Sequence, residues 1–227
     1  MSHPVPRCVL LFARSDAAEA RAKGLGPRGA ALFALARERL ACAVAALPGV
    51  DLVVAGAAGA LTPCHVLPQR GATFGARFRA AVEDARALGY REVVVVGLDV
   101  PRLDAGCLRA AFAALARGEV VLGPSPDGGV YLVGLGEADL SRLDRVRWLG
   151  RRVQADLAIA WPEATWIEAR ADVDGGADVK RAARGDRTWA AVLRTLWPPV
   201  LAPALAPRMV ASVPSPRAHG SRGPPAV

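Results

Sequence analysis

Histidine is scarce in this chain: His3, His65 and His219 are all it has. A Ser-His-Asp or Cys-His mechanism would rest on His65 alone, because nucleophile and base must meet in space. Haem and zinc sites fail on the same shortage. The four cysteines, Cys8, Cys42, Cys64 and Cys107, contain no C-x-x-C pair and no other metal-ligand spacing. Their apolar or small-residue surroundings make them small buried hydrophobes in a reducing compartment. Aromatic residues reach only 5%, too few for a base-stacking platform. No apolar run is long enough to span a bilayer. The opening stretch "MSHPVPRCVLLFARSD" lacks the long apolar core and small-residue cleavage site of a signal peptide. The expectation is a cytoplasmic protein without a membrane span. No G-x-G-x-x-G follows the first apolar segment, which argues against a dinucleotide dehydrogenase.

What is present is a globular composition of 227 residues, 52% hydrophobic, with a mean hydropathy of +0.25. That length is enough to bury a substantial core. The net charge is +8, yet Lys23 and Lys180 are the only lysines, and the arginines are scattered along the chain. Scattered arginine points to compositional bias rather than a basic face, so no specific nucleic-acid binding is expected. A basic balance suits an anionic small substrate such as a nucleotide.

Apolar patterning predicts strands at Cys8–Ala13, Asp51–Ala55, Glu92–Val96, Glu119–Leu122, Val130–Val133 and Thr165–Glu168, with a weaker one in "HVLPQ". Helical periodicity predicts helices over 30–47, 74–88, 105–116, 151–160 and 187–196, and a turn running into a helix after "ADVDGG". The stretch "RSDAAEARAKGLGPRG" reads as a loop. This alternation implies βαβ units and a mostly parallel α/β sheet flanked by helices. The strand at Val130 follows a turn rather than a helix, so it is expected to enter the sheet differently or to form its antiparallel part. One domain is expected over 7–197. The Pro- and Ala-rich segment 198–227 reads as a disordered tail.

In open α/β sheets ligands bind beyond the carboxyl ends of the strands. Three acidic turns fall there: Asp99 after "VVVVGL", Asp127 in "PDGG", and Asp172 with Asp174 in "DVDGG". Carboxylates converging at one sheet edge repel one another unless a cation sits between them, and Mg²⁺ or Mn²⁺ suits oxygen ligands. Gly128 and Gly129 permit close backbone approach. Asp104, by contrast, reads as a helix N-cap.

The stretch "VVVVGLDVPRLDAGCLRAAFAALARGEVVLGPSPDGGVYLVGL" resembles the core of the bacterial family DUF2064, glycosyltransferase-like proteins related to nucleotide-diphospho-sugar transferases of GT-A fold. "LPQRGATFGARFRAAVEDA", Trp148 and "DVDGGADV" are similar to further family segments, so the likeness runs from about Cys8 to Ala183. The chain departs from the pattern at Leu98, Val100, Val130 and Leu149, and "EARAKGL" replaces a basic loop. The resemblance implies a GT-A-like, Rossmann-like fold and a metal-dependent transferase using a nucleotide-activated sugar, with Mg²⁺ or Mn²⁺ as cofactor. It implies Asp99 as metal ligand and Asp127 as the catalytic carboxylate. Phe12, Ala13, Arg14, Arg21, Lys23, Gln69, Gly75, Arg77 and Gly97 would lie along the nucleotide. Gly128, Gly129, Tyr131, Trp148 and Asp174 would form the donor or acceptor pocket. Alternatives are a nucleotidyltransferase acting on a phosphorylated small molecule, and a non-catalytic nucleotide-binding protein of the same fold. The sequence leaves the oligomeric state open.

Overall fold

A computed structural model describes residues 6–184 except Pro101 and Glu119, together with Arg187, Ala190 and Ala191. The expected tail over 198–227 and most of the expected helix over 187–196 lie outside the described residues.

The strands are β1 (Arg7–Ala13), β2 (Val50–Gly56), β3 (His65–Leu67), β4 (Glu92–Val96), β5 (Val120–Pro124), β6 (Val130–Leu135) and β7 (Thr165–Trp166). They form one sheet in the order β3-β2-β1-β4-β6-β5-β7. β6 runs antiparallel to both β4 and β5, and every other pairing is parallel. The expectation for the strand after "PDGG" is met: a hairpin, rather than a crossover, carries it between β4 and β5.

β1 is an inner strand, paired on both sides by β2 and β4, and Cys8, Val9, Leu10 and Leu11 are all fully buried. Its side chains alternate between two apolar layers, as a strand covered on both faces requires. Val9 and Leu11 meet α2 (Gly26–Ala45) and α4 (Ala105–Leu115) through Leu32, Phe33 and Leu108. Cys8 and Leu10 meet α3 (Phe74–Ala87) and α5 (Val153–Ala160) through Phe78, Val82 and Leu157. Each fully buried leucine of this kind contributes about 1.5–3 kcal/mol. Among the described residues no helix is long and apolar enough to cross a membrane.

Four sequence expectations are corrected. The supposed loop after β1 contains α1 (Asp16–Ala22), whose N-cap Ser15 accepts from the Ala18 amide and whose first turn carries Asp16 and Glu19. Seven residues are too few for a periodic apolar face, so the cap was the readable signal. Helix α2 begins at Gly26 rather than Ala30, because Pro27 sits in the first turn, where its missing N–H costs nothing. β7 is two residues rather than four. Beyond it the chain still follows β5 irregularly, the Ile167 and Arg170 amides donating to the Leu122 and Pro124 carbonyls. Cys42 and Cys64 are exposed, and only Cys8 and Cys107 are buried. Asp104 caps α4 as expected, accepting from the Cys107 amide at 2.8 Å.

Candidate functional site: an acidic cleft at the carboxyl edge of the sheet

A cleft of about 570 Å³ opens at the carboxyl ends of β1 and β4. β1 delivers Phe12 and Ala13 to it, and β4 delivers Gly97 and Asp99. The site residues expected from sequence that line this cleft are Phe12, Ala13, Arg14, Lys23, Gln69, Arg77, Gly97, Asp99, Asp127, Gly129, Tyr131, Trp148 and Asp174. Arg21, Gly75 and Gly128 do not line it. Arg21 is exposed on α1. The two glycines act one layer behind. A Cβ at Gly75 would meet the Trp148 ring at 2.6 Å, so its bareness lets the indole lie on the first turn of α3. Gly128 has φ +95°, and a Cβ there would meet the Arg151 carbonyl oxygen at 2.3 Å.

The acidic turns converge. Oxygens of Asp127, Asp172 and Asp174 lie within 4.8 Å of one another. Asp127 is at the tip of the β5–β6 hairpin, where its Oδ1 accepts from the Gly129 amide at 2.9 Å. Gln154 of α5 clamps that hairpin by donating to the Ser125 and Gly129 carbonyls at 2.5 and 2.7 Å. Asp172 and Asp174 flank Val173, whose amide donates to the Asp99 carbonyl at 2.7 Å, so the "DVD" segment is fastened to the end of β4. Asp99 stands beside the trio and is joined to it by Lys23. The ammonium lies 3.1 Å from Asp99 Oδ2 and 2.5 Å from Asp174 Oδ1. Burial works against the charge on Lys23, but Asp99 and Asp174 outweigh it and hold the ammonium above the ordinary lysine range.

Asp172 shows what this crowding costs. Burial, then the negative charges of Asp127, Asp174 and Asp99, push its carboxyl up to about 6. A carboxyl raised in the folded protein binds its proton more tightly there than in the unfolded chain. Its contribution therefore favours folding below the ordinary Asp range and is lost as pH rises through about 6. Asp172→Asn is accordingly expected to melt higher than the wild type at pH 7.5, with the gap narrowing toward pH 5. A lower melting temperature for the variant at pH 7.5 would mean that the ionised carboxylate makes a stabilising contact instead.

The other wall is aromatic. Phe12, Phe74, Phe78 and Trp148 form one contiguous group, with ring centroids 4.8–6.2 Å apart. Tyr131 reaches the cleft but directs its hydroxyl to the Glu168 carbonyl at 2.9 Å and to the Cys107 sulfur at 3.3 Å. Gln69 ties the ends of β1 and β2 together by donating to the Ala55 carbonyl at 3.0 Å and, more weakly, to the Ala13 carbonyl at 3.4 Å. Gly97 makes room for Asp99 itself, since a Cβ there would meet Asp99 Oδ1 at 2.8 Å.

This hairpin, its acidic tip and the strand feeding Asp99 fall within residues 32–149, the part that matches a family model described as an uncharacterized protein conserved in bacteria, DUF2064. The chain belongs to the DUF2064 family. No curated protein matches it. Among solved structures this DUF2064 chain is similar to a protein of Desulfovibrio desulfuricans G20 provisionally named a nucleotide-diphospho-sugar transferase. The two share 23% identity over 85% of this chain and 95% of the other, with a TM-score of 0.75. It is also similar to Rv0371c of Mycobacterium tuberculosis H37Rv, at 18% identity over 79% and 98% of the two chains and a TM-score of 0.53. A third likeness is to CMP:2-keto-3-deoxy-manno-octonic acid synthetase complexed with CTP, at 10% identity over 83% and 99% and a TM-score of 0.52. At these identities the likeness is one of fold: the Rossmann-like GT-A arrangement, a mixed, mostly parallel sheet flanked by helices.

Sequence reasoning noted Asp172 only as part of an acidic turn, although it is the carboxylate most affected by the convergence. It missed Glu19, Arg37 and Gln154 altogether. Asp172 was legible in "DVDGG", where two carboxylates sit one residue apart after a strand. Gln154 and Arg37 carry no local signal, because their partners are backbone carbonyls and a carboxylate remote in sequence.

Proposed function

We propose that this protein is a metal-dependent transferase that uses a nucleotide-activated sugar as donor. The observation that carries the reading is the gathering of Asp99, Asp127, Asp172 and Asp174 at the carboxyl edge of the sheet, beside a cleft of nucleotide size. The donor set fits a hard divalent cation. It consists of carboxylate oxygens: four carboxylates gather there against the single ammonium of Lys23, which pairs with Asp99 and Asp174. Asp99, Asp172 and Asp174 would hold Mg²⁺ or Mn²⁺. When bound, that ion would supply neutralisation of charge developing on a leaving diphosphate.

The rest of the chemistry falls to the chain itself. Asp127 Oδ1 is occupied by the Gly129 amide, while its Oδ2 takes no hydrogen bond from the described residues. That oxygen is the one to orient an acceptor hydroxyl and accept its proton. Ala13, Gln69 and Gly97 border the nucleotide, with Arg14, Lys23 and Arg77 as its cationic contacts. The partly exposed Trp148 and Phe74 offer apolar faces to the transferred or accepting group. Four free thiols suit a reducing, cytoplasmic setting.

The test is incubation of the full chain with Mn²⁺ and a panel of nucleotide sugars and nucleoside triphosphates. The expected result is slow metal-dependent hydrolysis of one nucleotide sugar, water taking the sugar as the nucleoside diphosphate leaves, lost in Asp127→Asn. Hydrolysis of a triphosphate to nucleoside monophosphate and pyrophosphate, water taking the nucleotidyl group, would instead identify a nucleotidyltransferase. Metal-dependent binding without turnover of any donor would identify a non-catalytic binding protein.

A further inference from the structure

One carboxylate takes three of the donors of Arg14. Glu19 Oε1 accepts from the Arg14 backbone amide at 3.2 Å and from its Nε at 3.1 Å, and Oε2 accepts from Nη2 at 3.0 Å. The Glu19 side chain is 15% exposed against 56% for Arg14, so the carboxylate lies shielded beneath the guanidinium. Both residues line the cleft. This planar fork is the geometry with which an arginine grips a phosphate. Lys23 is likewise taken up, by Asp99 and Asp174. Among the described residues Arg77 makes only long contacts, 3.4–3.5 Å, with the Ala72 and Gly71 carbonyls.

We propose that Glu19 is a built-in anion that fills the Nε/Nη2 fork of Arg14, one of its phosphate-gripping edges, and so determines which anions the cleft accepts. This rests on the reading of the cleft as a nucleotide site. A carboxylate tethered five residues away competes at an effective concentration on the order of millimolar. Free phosphate or pyrophosphate, left with the paired Lys23 and with Arg77 as its other cationic contacts, loses that competition. A nucleotide wins it, because its base, ribose and associated cation add contacts that Glu19 cannot match. Glu19 thus acts as a specificity-determining residue that rejects simple anions.

The test is calorimetric titration of inorganic pyrophosphate, in chelator-treated buffer, into the full-length wild type, Glu19→Gln, Glu19→Ala and the double variant Glu19→Gln/Arg14→Met. Thermal melts confirm that each is folded, and either single variant suffices. Pyrophosphate should bind a folded Glu19 variant at least tenfold more tightly than the wild type, and the double variant should lose that gain. Unchanged or weaker binding in the folded single variants overturns the proposal, as does a gain that survives loss of Arg14. A nucleoside diphosphate with Mn²⁺ is titrated into the same proteins. If the nucleotide binds while pyrophosphate affinity is unchanged, only the role of Glu19 fails. If neither ligand binds any of the proteins, the nucleotide reading fails with it.

Discussion

Arg37→Met should cost about 3–5 kcal/mol of stability, the range for a buried ion pair stripped of one partner. Arg37 is 1% exposed in α2, and its guanidinium holds the chain together at three places. Nε donates to Asp16 Oδ1 at 3.0 Å and Nη2 lies 2.9 Å from the same oxygen as an ion pair, while Nη2 donates to the Arg14 carbonyl at 2.9 Å and Nη1 to the Ala57 carbonyl at 2.5 Å. Methionine fills much of the same volume but leaves one carboxylate and two carbonyls without partners. For a domain of this size the loss corresponds to a drop of about 10 °C in melting temperature. Those three contacts lie on the segments that leave β1 and β2 at the cleft, Asp16 at the start of α1, so nucleotide affinity should fall in the fraction that remains folded. Arg37→Lys keeps the charge but not the planar fork, and should recover only part of both losses. Denaturant unfolding of the three proteins checks this. A loss under about 1 kcal/mol for Arg37→Met would show that the loops hold without it.

The contrast between Arg37 and Asp99 shows which parts of the molecule were legible in the sequence. "VVVVGLDV" announces a buried strand ending on a carboxylate, because β-branched runs and a terminal charge are local facts. β4 and Asp99 lie where that reading puts them. The hairpin was legible for the same reason, since "PDGG" is turn chemistry between two apolar runs. Arg37 sits in an alanine-rich helix and reads as one more scattered arginine. Its partners Arg14, Asp16 and Ala57 are twenty or so residues away, and only the packing of α2 against the ends of β1 and β2 brings them together. The pairing of Arg14 with Glu19 was hidden differently. It depends on α1, and a seven-residue helix without a periodic apolar face leaves only its Ser15 cap to betray it. The convergence of Asp127 with Asp172 and Asp174 was legible in kind, as acids at one sheet edge. The insertion of Lys23 between Asp99 and Asp174 was not, because it joins residues 76 and 151 positions from Lys23.

Asp99→Asn should weaken metal-dependent nucleotide binding by about a hundredfold or more, which is about 2.7 kcal/mol. Asn has nearly the same shape, and Gly97 leaves room for either group. The Asp99 carbonyl would still accept from the Val173 amide, since that bond does not involve the side chain. Lys23 would keep Asp174. Asp99 is 33% exposed, so loss of its ion pair should change stability by no more than about 1 kcal/mol. What changes is the charge at the end of β4, on which the proposed cation site rests. If Asp99 were a structural partner of Lys23 and nothing more, the pattern would invert: lower stability, with affinity unaltered in the folded fraction. Calorimetric titration of a nucleoside diphosphate into wild type and Asp99→Asn, each with and without Mn²⁺, separates the two directly. The nucleotide reading predicts Mn²⁺-dependent binding in the wild type and its loss, by about a hundredfold or more, in a variant that melts within a few degrees of it. Equal Mn²⁺-dependent affinity in both proteins would contradict it.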